Sequence, residues 1–472
     1  MSAQLSMDLL LSNIVNNYYY LILILFILIS FLLRSYLIIK YKWVGKDTFF
    51  HLLIGELIRK NKKIPKKHDF FYYPDNYDYP PLFHIFLSKF KREDHYKLQY
   101  LAPIIDIIAA LVLFYFNLIY FNMTVAIFSM ILYLVTPFNY ENSFNLSPRS
   151  FANTFLIISI YSYFSYYYQH SILALFICLV FMSFTLLTHR LNAQSLIFVM
   201  ISLSLGLYDL TPILLIIFSI VVNIIITRKF YYKVLLGHIA LVKNFFGRAL
   251  KPLSIKNILK LLPNPVIVLY NIPFIVFIFF PIEVSLQTKF YLIWGISLMI
   301  FSLIWITGEG GRHLLNAIPS YATIFTIWAI SSGRYDVMIS IIGVSILVII
   351  SKILRSINNM EMCWVVEKDI LDAFLYVNQN KHDNDLLLCL PINYSYAAAY
   401  FTGCMLLQSS EGSLEGIKYN YIFFERLKKD DLNDIISEYG VKWLITINQN
   451  VDIRVGNILG FTEKNVKVYQ MI

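Results

Sequence analysis

The chain is poor in charge. Of its 472 residues, only 14% are Asp, Glu, Lys or Arg, against about 25% in an average soluble protein. Hydrophobic residues make up 58% of the chain, and its mean hydropathy is +0.63. A soluble globule could not bury that much apolar surface, so a soluble two-domain enzyme is excluded. Disordered and fibrous proteins are excluded for the same reason.

Cysteine is also scarce. The chain has four cysteines and no Cys-x-x-Cys pair, so a thiolate metal site is not predicted. Cys389 and Cys404 could form a disulfide if the C-terminal region faces an oxidising space, and two buried thiols are the alternative. That region contains neither Gly-x-Gly-x-x-Gly nor a Walker-type loop, which argues against nucleotide binding there.

Long apolar runs are abundant. The first, Tyr18–Ile39, is too long for a cleavable signal and carries Arg34, so it is predicted to be a retained anchor. Asp106 lies within the second run, where a carboxylate is expected to function or to pair with another helix. The runs predict an α-helical polytopic membrane protein with about 11 transmembrane helices. They lie near 18–39, 99–121, 123–138, 150–167, 171–188, 192–207, 209–226, 264–282, 288–306, 314–331 and 337–353.

Three polar stretches lie between or after these runs: a large first loop over 40–98, a basic amphipathic loop over 227–263, and a tail over 360–472. A predicted domain boundary at 359/360 separates a transmembrane domain, 1–359, from the tail, 360–472. The tail is predicted to be a small soluble α/β domain, because short buried strands alternate with helices there. Its predicted strands are Leu386–Leu390, Val441–Ile447 and Val466–Met471.

The polar clusters fall on one face of the predicted bundle. The first loop follows one run, Glu141 follows three, His189-Arg190 follows five, Glu309 follows nine, and the tail follows eleven. All these counts are odd, and the opposite face has only tight turns. Charge confined to one face favours an enzyme whose site opens to one compartment, because a transporter needs polar residues within its helices.

The first loop has the richest chemistry. Asp47 and His51 are four residues apart, so they share one face of a helix predicted over Thr48–Arg59. A carboxylate at the mouth of the bundle could hold a divalent metal or act as a base. The alternative is that Asp47 caps the helix and His51 packs beneath it.

A second part of the loop could form an acceptor site. Asp75 and Asp78 flank a turn that Pro80-Pro81 makes rigid, although ordinary turn chemistry also explains them. The Leu82–Leu87 segment that follows is too short to cross a membrane, and it contains His84.

Three arginines stand at helix ends on the polar face: Arg149, Arg190 and Arg312. Guanidinium groups make planar, two-pronged contacts with phosphate, so the three are predicted to bind a phosphate or pyrophosphate. Glu309 and His313 flank Arg312 and are predicted to belong to the same site. The alternative is that each arginine extends toward the lipid headgroups.

Five segments together resemble a known family. They read Asp-Thr-Phe-Phe-His-Leu at 47–52, Tyr-Asp-Tyr-Pro-Pro-Leu-Phe-His at 77–84, Thr-His-Arg-Leu-Asn-Ala-Gln at 188–194, Gly-Glu-Gly-Gly-Arg-His at 308–313 and Tyr-Gly-Val-Lys-Trp-Leu-Ile at 439–445. The layout resembles the integral-membrane glycosyltransferases of the GT-C superfamily, which includes oligosaccharyltransferase catalytic subunits and protein O-mannosyltransferases.

The resemblance implies sugar transfer from a polyprenyl-phosphate or polyprenyl-diphosphate donor to a lipid, glycan or protein on the outer side of the membrane. It implies that Asp47 is the catalytic acidic residue of the first external loop, with His51 one turn away, and that Glu141 takes a second acidic position. Arg312, preceded by Glu309, would lie near the donor phosphate. Asp47 could also hold a divalent metal, Mg or Mn.

The chain departs from oligosaccharyltransferases because its tail lacks their Trp-Trp-Asp signature, so transfer to an Asn sequon is not expected. The net charge of +10 is attributed to loops beside anionic membrane lipids, and nucleic acid is not predicted as a partner. The basic first loop would be cytoplasmic by the positive-inside rule, whereas the resemblance makes it external, and we follow the resemblance. A transporter or flippase of polyprenyl-linked glycans is the alternative function, and a non-catalytic scaffold is a third.

Overall fold

The computed structural model describes residues 2–73, 76–249, 285–303, 313–358, 365–408, 414–449, 457–463 and 465–471. Three predicted site residues, Asp75, Glu309 and Arg312, lie outside these ranges, as does the run predicted over 264–282. The backbone of Glu141 is described but its side chain is not.

Within these ranges the first 358 residues form helices, most of which are joined by short turns, whereas the 62–81 segment of the first loop is a longer connection. Three of these helices belong to the first loop, and most of the others follow the predicted apolar runs and the basic loop. In chain order they are α1 (Ser2–Tyr41), α2 (Lys46–Asn61), α3 (Leu82–Leu87), α4 (His95–Leu98), α5 (Leu101–Tyr120), α6 (Met123–Val135), α7 (Pro137–Ser143), α8 (Pro148–Gln169), α9 (Ile172–Thr188), α10 (Arg190–Leu207), α11 (Thr211–Ile226), α12 (Phe230–Ala249), α13 (Leu286–Leu303), α14 (Ile318–Ser331) and α15 (Tyr335–Asn358).

Five segments among the described helices are long and apolar enough to cross a membrane, which confirms a helical membrane protein. The helices α6, α9 and α11 are apolar but shorter. The predicted number of eleven is not confirmed, because not all the described helices reach spanning length and one predicted run lies outside the described ranges. The spanning segments are Leu21–Tyr41, Leu101–Tyr120, Arg190–Leu207, Leu314–Ser331 and Tyr335–Arg355.

A buried ion pair joins the first helix to the bundle. Arg34 Nε on α1 lies 3.8 Å from Asp106 Oδ2 on α5, and both side chains are almost fully buried. Arg34 Nη2 also donates a hydrogen bond of 2.7 Å to Leu134 O at the end of α6. A charge at this depth is stable only when paired, so this contact fixes α1 against α5 and α6. It confirms that Asp106 pairs with another helix.

The tail is α/β, as predicted. Its helices are α16 (Lys368–Asn380), α17 (Ser395–Thr402), α18 (Leu414–Lys429) and α19 (Leu432–Tyr439), and its strands are β1 (Leu386–Leu390), β2 (Met405–Leu406), β3 (Trp443–Ile447), β4 (Asn457–Glu463) and β5 (Val466–Met471). The strand order is β2-β1-β3-β5-β4. The sheet is mixed, because β1 runs parallel to β2 and β3 while β5 runs antiparallel to β3 and β4.

The tail and the first loop share one hydrophobic core. Phe49 and Phe50 of α2 pack in a single cluster with Trp443 of β3 and Tyr400 of α17. The loop also pairs with the sheet edge, since Leu406 N donates to Phe70 O at 3.0 Å. The two regions are therefore held on the same side of the helical bundle. The division at 359/360 stays a prediction, because residues 359–364 lie outside the described ranges.

The tail cysteines remain separate thiols. Cys389 and Cys404 are both buried and unpaired with each other, and burial raises the pKa of each. The predicted alternative of a disulfide is therefore not formed.

We expect Arg34→Met to lower the thermal unfolding temperature of detergent-solubilised protein by about 5 °C or more, because it leaves the Asp106 carboxylate buried without its partner, at a cost of about 3–5 kcal/mol. The matched control is the double variant Arg34→Met/Asp106→Leu, which removes both charges. Recovery of much of the loss in the double variant is expected, and equal loss in both would show that the pair itself contributes little.

Candidate active site

The site begins at the turn that leads from α1 into α2. The buried Gln99 side chain holds this turn, since its Nε2 donates to Lys42 O at 2.6 Å and its Oε1 accepts from Val44 N at 2.9 Å. The tail adds a third contact, in which Val366 N donates to Trp43 O at 3.0 Å. All three contacts satisfy backbone groups that would otherwise be buried without partners.

Asp47 lies in the first turn of α2 but does not cap it. The N-cap is Gly45, with φ of +94°, and the helix start has no side-chain cap. Asp47 is partly exposed, and Asn145 Nδ2 lies 3.4 Å from its Oδ2. The capping alternative therefore does not describe this carboxylate, which stays available at the polar face.

Thr48 fixes the direction of Asp47. Its hydroxyl lies 2.9 Å from Val44 O and 3.0 Å from Asn145 Oδ1, and it accepts the Leu146 N–H at 3.0 Å. A side chain at Gly45 would approach Thr48 Oγ1 within 2.7 Å. The close approach and the positive φ both require glycine at this position.

His51 is the end of a buried chain of hydrogen bonds. Its Nδ1 lies 2.8 Å from His84 Nε2, and His84 Nδ1 lies 2.6 Å from the Tyr77 hydroxyl. The ring of Tyr79 stands beside both histidines, with centroids 6.1 and 5.6 Å away. The Leu82–Leu87 segment therefore does not reach across the membrane but packs under α2 and supplies His84.

Burial keeps both histidines neutral. It lowers the pKa of His51 to about 4 and holds the pKa of His84 well below its usual value. It also raises the pKa of Tyr77, which keeps the phenol protonated. A neutral imidazole has one donor and one acceptor nitrogen, so the proton position on His84 dictates which nitrogen of His51 carries hydrogen.

Two predicted site residues act on His51 by charge. Asp47 favours the protonated form of His51 and Arg149 disfavours it. The start of α8 packs nearby, since the ring centroid of Phe151 lies 5.1 Å from that of Phe83, which itself lies 5.5 Å from that of His51. The structure therefore packs the start of α8, which carries Arg149, close to the helix that carries Asp47 and His51.

Arg190 is engaged by the loop. Its Nη2 donates to Asp78 O at 2.6 Å and forms an ion pair with the Asp78 carboxylate. Its guanidinium carbon lies 5.3 Å from the Tyr79 ring centroid. Gly237 of α12 packs against this pair, since a side chain there would lie 3.2 Å from Arg190 Nη2. Arg190 therefore ties the loop to the bundle, and its predicted contact with a donor phosphate stays a prediction.

A second chain of polar contacts leads into the bundle from His189, which lies between α9 and α10. His189 Nδ1 lies 2.5 Å from Asn192 Oδ1, and Asn192 Nδ2 donates to Asn316 Oδ1 at 2.8 Å. Asn316 Nδ2 donates to Ser195 Oγ at 2.8 Å, and that hydroxyl lies 2.7 Å from His313 Nδ1. His313 is thereby placed on the same polar face as His189, one residue after the predicted Arg312.

Several of these residues were not predicted from the sequence. Polar residues next to the predicted motifs were the available signal: Tyr77 stands in the Tyr-Asp-Tyr-Pro-Pro segment, Asn192 two residues after Arg190, and Asn316 three residues after His313. Nothing local marks Asn145 or Ser195, because their roles depend on which helices meet.

A metal site is not formed by the described side chains. Within the described ranges no group of three His, Cys, Asp or Glu residues could hold a metal ion. The Nδ1 atom of His51 already faces His84. A metal at Asp47 would therefore need further ligands from outside the described side chains.

Comparisons with known proteins identify the fold. Protein-family models and curated proteins give no match to this chain. Among solved structures, ArnT from Cupriavidus metallidurans bound to undecaprenyl phosphate matches with a TM-score of 0.59 at 11% identity, covering 94% of this chain and 97% of ArnT.

The archaeal oligosaccharyltransferase AglB from Archaeoglobus fulgidus, in complex with an inhibitory peptide and a dolichol-phosphate, matches with a TM-score of 0.53 at 12% identity. That match covers 92% of this chain and 69% of AglB. A second structure of that oligosaccharyltransferase, complexed with Zn and sulfate, matches with a TM-score of 0.51 at 12% identity and covers 89% of this chain and 68% of the other. The chain therefore shares the fold of these structures, the GT-C fold, which confirms the fold that the resemblance implied.

Acid should destabilise the folded protein. His51 has a pKa of about 4 when folded and about 6.5 when unfolded, so the unfolded state binds more protons between these values. The free energy of unfolding therefore falls as the pH falls from 6.5 toward 4. Thermal unfolding across this range should show a smaller decrease for His51→Asn than for the parent.

The matched control for this titration is His170→Asn. His170 is exposed at a turn on the opposite face with φ of +54°, a conformation that Asn tolerates. The same pH dependence in His51→Asn and the parent would contradict a buried, neutral His51.

Proposed function

We propose that the chain is a membrane glycosyltransferase that moves a sugar from a polyprenyl-phosphate-linked or polyprenyl-diphosphate-linked donor to a lipid, glycan or protein acceptor. The observation that carries the proposal is the packing of the start of α2, which carries Asp47 and His51, near the start of α8, which carries Arg149, in a GT-C fold. The similar structures of ArnT and AglB, which contain undecaprenyl phosphate and dolichol-phosphate, support a polyprenyl donor. Membrane lipids are the other expected partners.

Asp47 is the proposed base. Glycosyl transfer passes through an oxocarbenium-like transition state, and a carboxylate can activate the attacking group. Asp47 takes the proton of the acceptor hydroxyl while that oxygen attacks the anomeric carbon of the donor sugar. The bond from this carbon to the phosphate oxygen breaks, and the polyprenyl phosphate leaves with the electron pair. The partly exposed position of Asp47 and its freedom from capping support this role.

His51 is the proposed partner of Asp47. As a neutral imidazole it can position the acceptor hydroxyl by a hydrogen bond, and its ring is held by His84 and Tyr77. Glu141 remains a candidate second acidic residue. Of the loop residues, Asp78 holds the loop to α10 through Arg190, whereas Asp75 remains a candidate acceptor contact.

Cationic side chains form the proposed phosphate-binding site. Negative charge develops on the leaving phosphate, and fixed positive groups stabilise it. Arg149 at the start of α8 and Arg312 next to His313 are proposed to donate hydrogen bonds to this phosphate. Glu309 is proposed to orient Arg312. A divalent metal, Mg or Mn, is not assigned a step, because the described side chains do not form its site.

We assign the polar face, which carries the first loop and the tail, to the outside of the membrane. The resemblance to the GT-C superfamily supports this choice over the positive-inside rule, which is weak for a loop of the size of 40–98. The tail lies on the same side as the first loop because the two share a core.

Asp47→Asn should lower sugar transfer from a polyprenyl-phosphate donor by about a hundredfold or more, because loss of a general base has effects of that size. The unfolding temperature should hardly change, since Asn keeps an acceptor for Asn145. Asp69→Asn is the matched control, because Asp69 is an exposed carboxylate of the same loop, and it should retain parental turnover. Near-parental turnover in Asp47→Asn would contradict the assignment of Asp47 as the general base.

Arg312→Ala should weaken binding of polyprenyl phosphate by about tenfold or more, because it removes a charge-assisted contact worth about 1.5–3 kcal/mol. Arg334→Ala is the control, because Arg334 is an exposed arginine at the Gly333–Asp336 turn of the opposite face. Affinity would be measured by titration of the labelled lipid into purified protein. Equal loss in the two variants would indicate nonspecific attraction of the lipid to basic residues.

A further inference from the structure

An open cleft of about 510 Å³ lies between α2 and α17, outside the site described above. Leu53, Leu57 and Phe70 form its apolar lining, and Arg59, Lys60 and Arg92 form its charged lining. None of its lining residues belongs to a described spanning segment. The cleft therefore opens between the first loop and the tail, on the soluble part of the molecule.

The cleft and the proposed catalytic residues use different faces of α2. An α-helix turns about 100° per residue, which places Asp47, His51 and Ile58 on one side. The α2 residues that line the cleft, which include Leu53 and Leu57, lie about 100–160° away around the helix. A ligand in the cleft would therefore not compete with the acceptor hydroxyl at Asp47, but it would contact the same rigid helix.

Arg92 is built into the wall of the cleft. Its guanidinium carbon lies 4.5 Å from the Tyr400 ring centroid, its Nη2 donates to Tyr400 O, and its Nε lies 3.6 Å from Glu56 Oε1. His95 Nδ1 lies 4.0 Å from the same Glu56 oxygen, but burial lowers the pKa of His95 to about 4, so the compensating charge is that of Arg92. The one acidic residue lining the cleft is thus compensated within the wall, and the remaining cations set the sign of the cleft.

The mouth of the cleft is positive. Arg59 and Lys60 are exposed on the last turn of α2. Lys381 adds a further ammonium group, because a side chain at the lining residue Gly403 would lie 3.1 Å from Lys381 Nζ. Such a concentration of one sign in a concave surface attracts anions.

We propose that the α2–α17 cleft binds an acidic saccharide. The apolar face of a sugar ring matches the surface of Phe70, Leu53 and Leu57, and sugar carboxylates match the guanidinium and ammonium groups at the rim. A membrane lipid is disfavoured because no spanning segment lines the cleft. The identification of this saccharide with part of the acceptor rests on the proposed transfer function, whereas the binding site itself does not.

The test uses full-length protein in detergent and measures binding of a labelled galacturonic acid hexamer, with the neutral hexamer of glucose, maltohexaose, for comparison. The cleft variant is Arg59→Glu/Lys60→Glu. The matched control is Lys63→Glu/Lys66→Glu, which makes the same charge change at exposed residues of the same loop that do not line the cleft. All four residues are exposed, so unfolding temperatures are expected to stay near the parent's.

The acidic hexamer should bind the parent and the control, and its affinity should fall about tenfold or more in the cleft variant. Maltohexaose should bind at least tenfold more weakly than the acidic hexamer. Absence of binding, or equal losses in the cleft and control variants, would overturn the proposal. So would a cleft-dependent loss of binding to vesicles of anionic lipid without binding of the saccharide, which would indicate a lipid headgroup site.

The Asp47→Asn variant separates this proposal from the proposed transfer function. It should bind the acidic hexamer as the parent does, whether or not it transfers sugar. Failure of transfer therefore leaves the binding result intact, and failure of binding leaves the assignment of Asp47 untouched.

Discussion

The geometry of the candidate site depends on the clamped turn that precedes α2. Gln99 satisfies two backbone groups of this turn, the Thr48 hydroxyl joins it to the 145–146 segment, and the tail adds a hydrogen bond at Trp43. Three distant parts of the chain therefore meet at one place where only glycine fits at position 45. Because this clamp lies directly before Asp47, it holds the carboxylate at the mouth of the bundle without using it as a cap.

Helix α2 transmits this constraint to the rest of the polar face. Its close approach to α3 is set at Gly55, where a side chain would lie 2.9 Å from Leu87 Cβ, and α3 then presents His84 to His51. The far side of the helix packs against the tail, whose core includes Phe49 and Phe50. The tail therefore has a physical reason to lie against the first loop, since it completes the burial of the helix that carries Asp47.

Local signals explain what the sequence could predict. Apolar runs predicted the helices, and β1 and β5 were found at their full predicted lengths. The contacts that build the site join distant positions: His84 is 33 residues from His51, and Asp78 is 112 residues from Arg190. No periodicity encodes such pairs, so the sequence predicted that these residues matter but could not predict which of them pair. Strand β2 has two residues and gives no pattern at all.

The central claim is that one face of this GT-C fold holds a polyprenyl phosphate beside Asp47. The most direct measurement is a cryo-electron microscopy structure of the full-length protein in lipid nanodiscs with a polyprenyl phosphate bound. The account predicts phosphate density on the side of Asp47 and His51, within hydrogen-bond distance of Arg149 or Arg312, and a prenyl chain leaving between helices. Phosphate density at the Gly333–Asp336 end of the bundle, or a lipid path open to both faces, would contradict it.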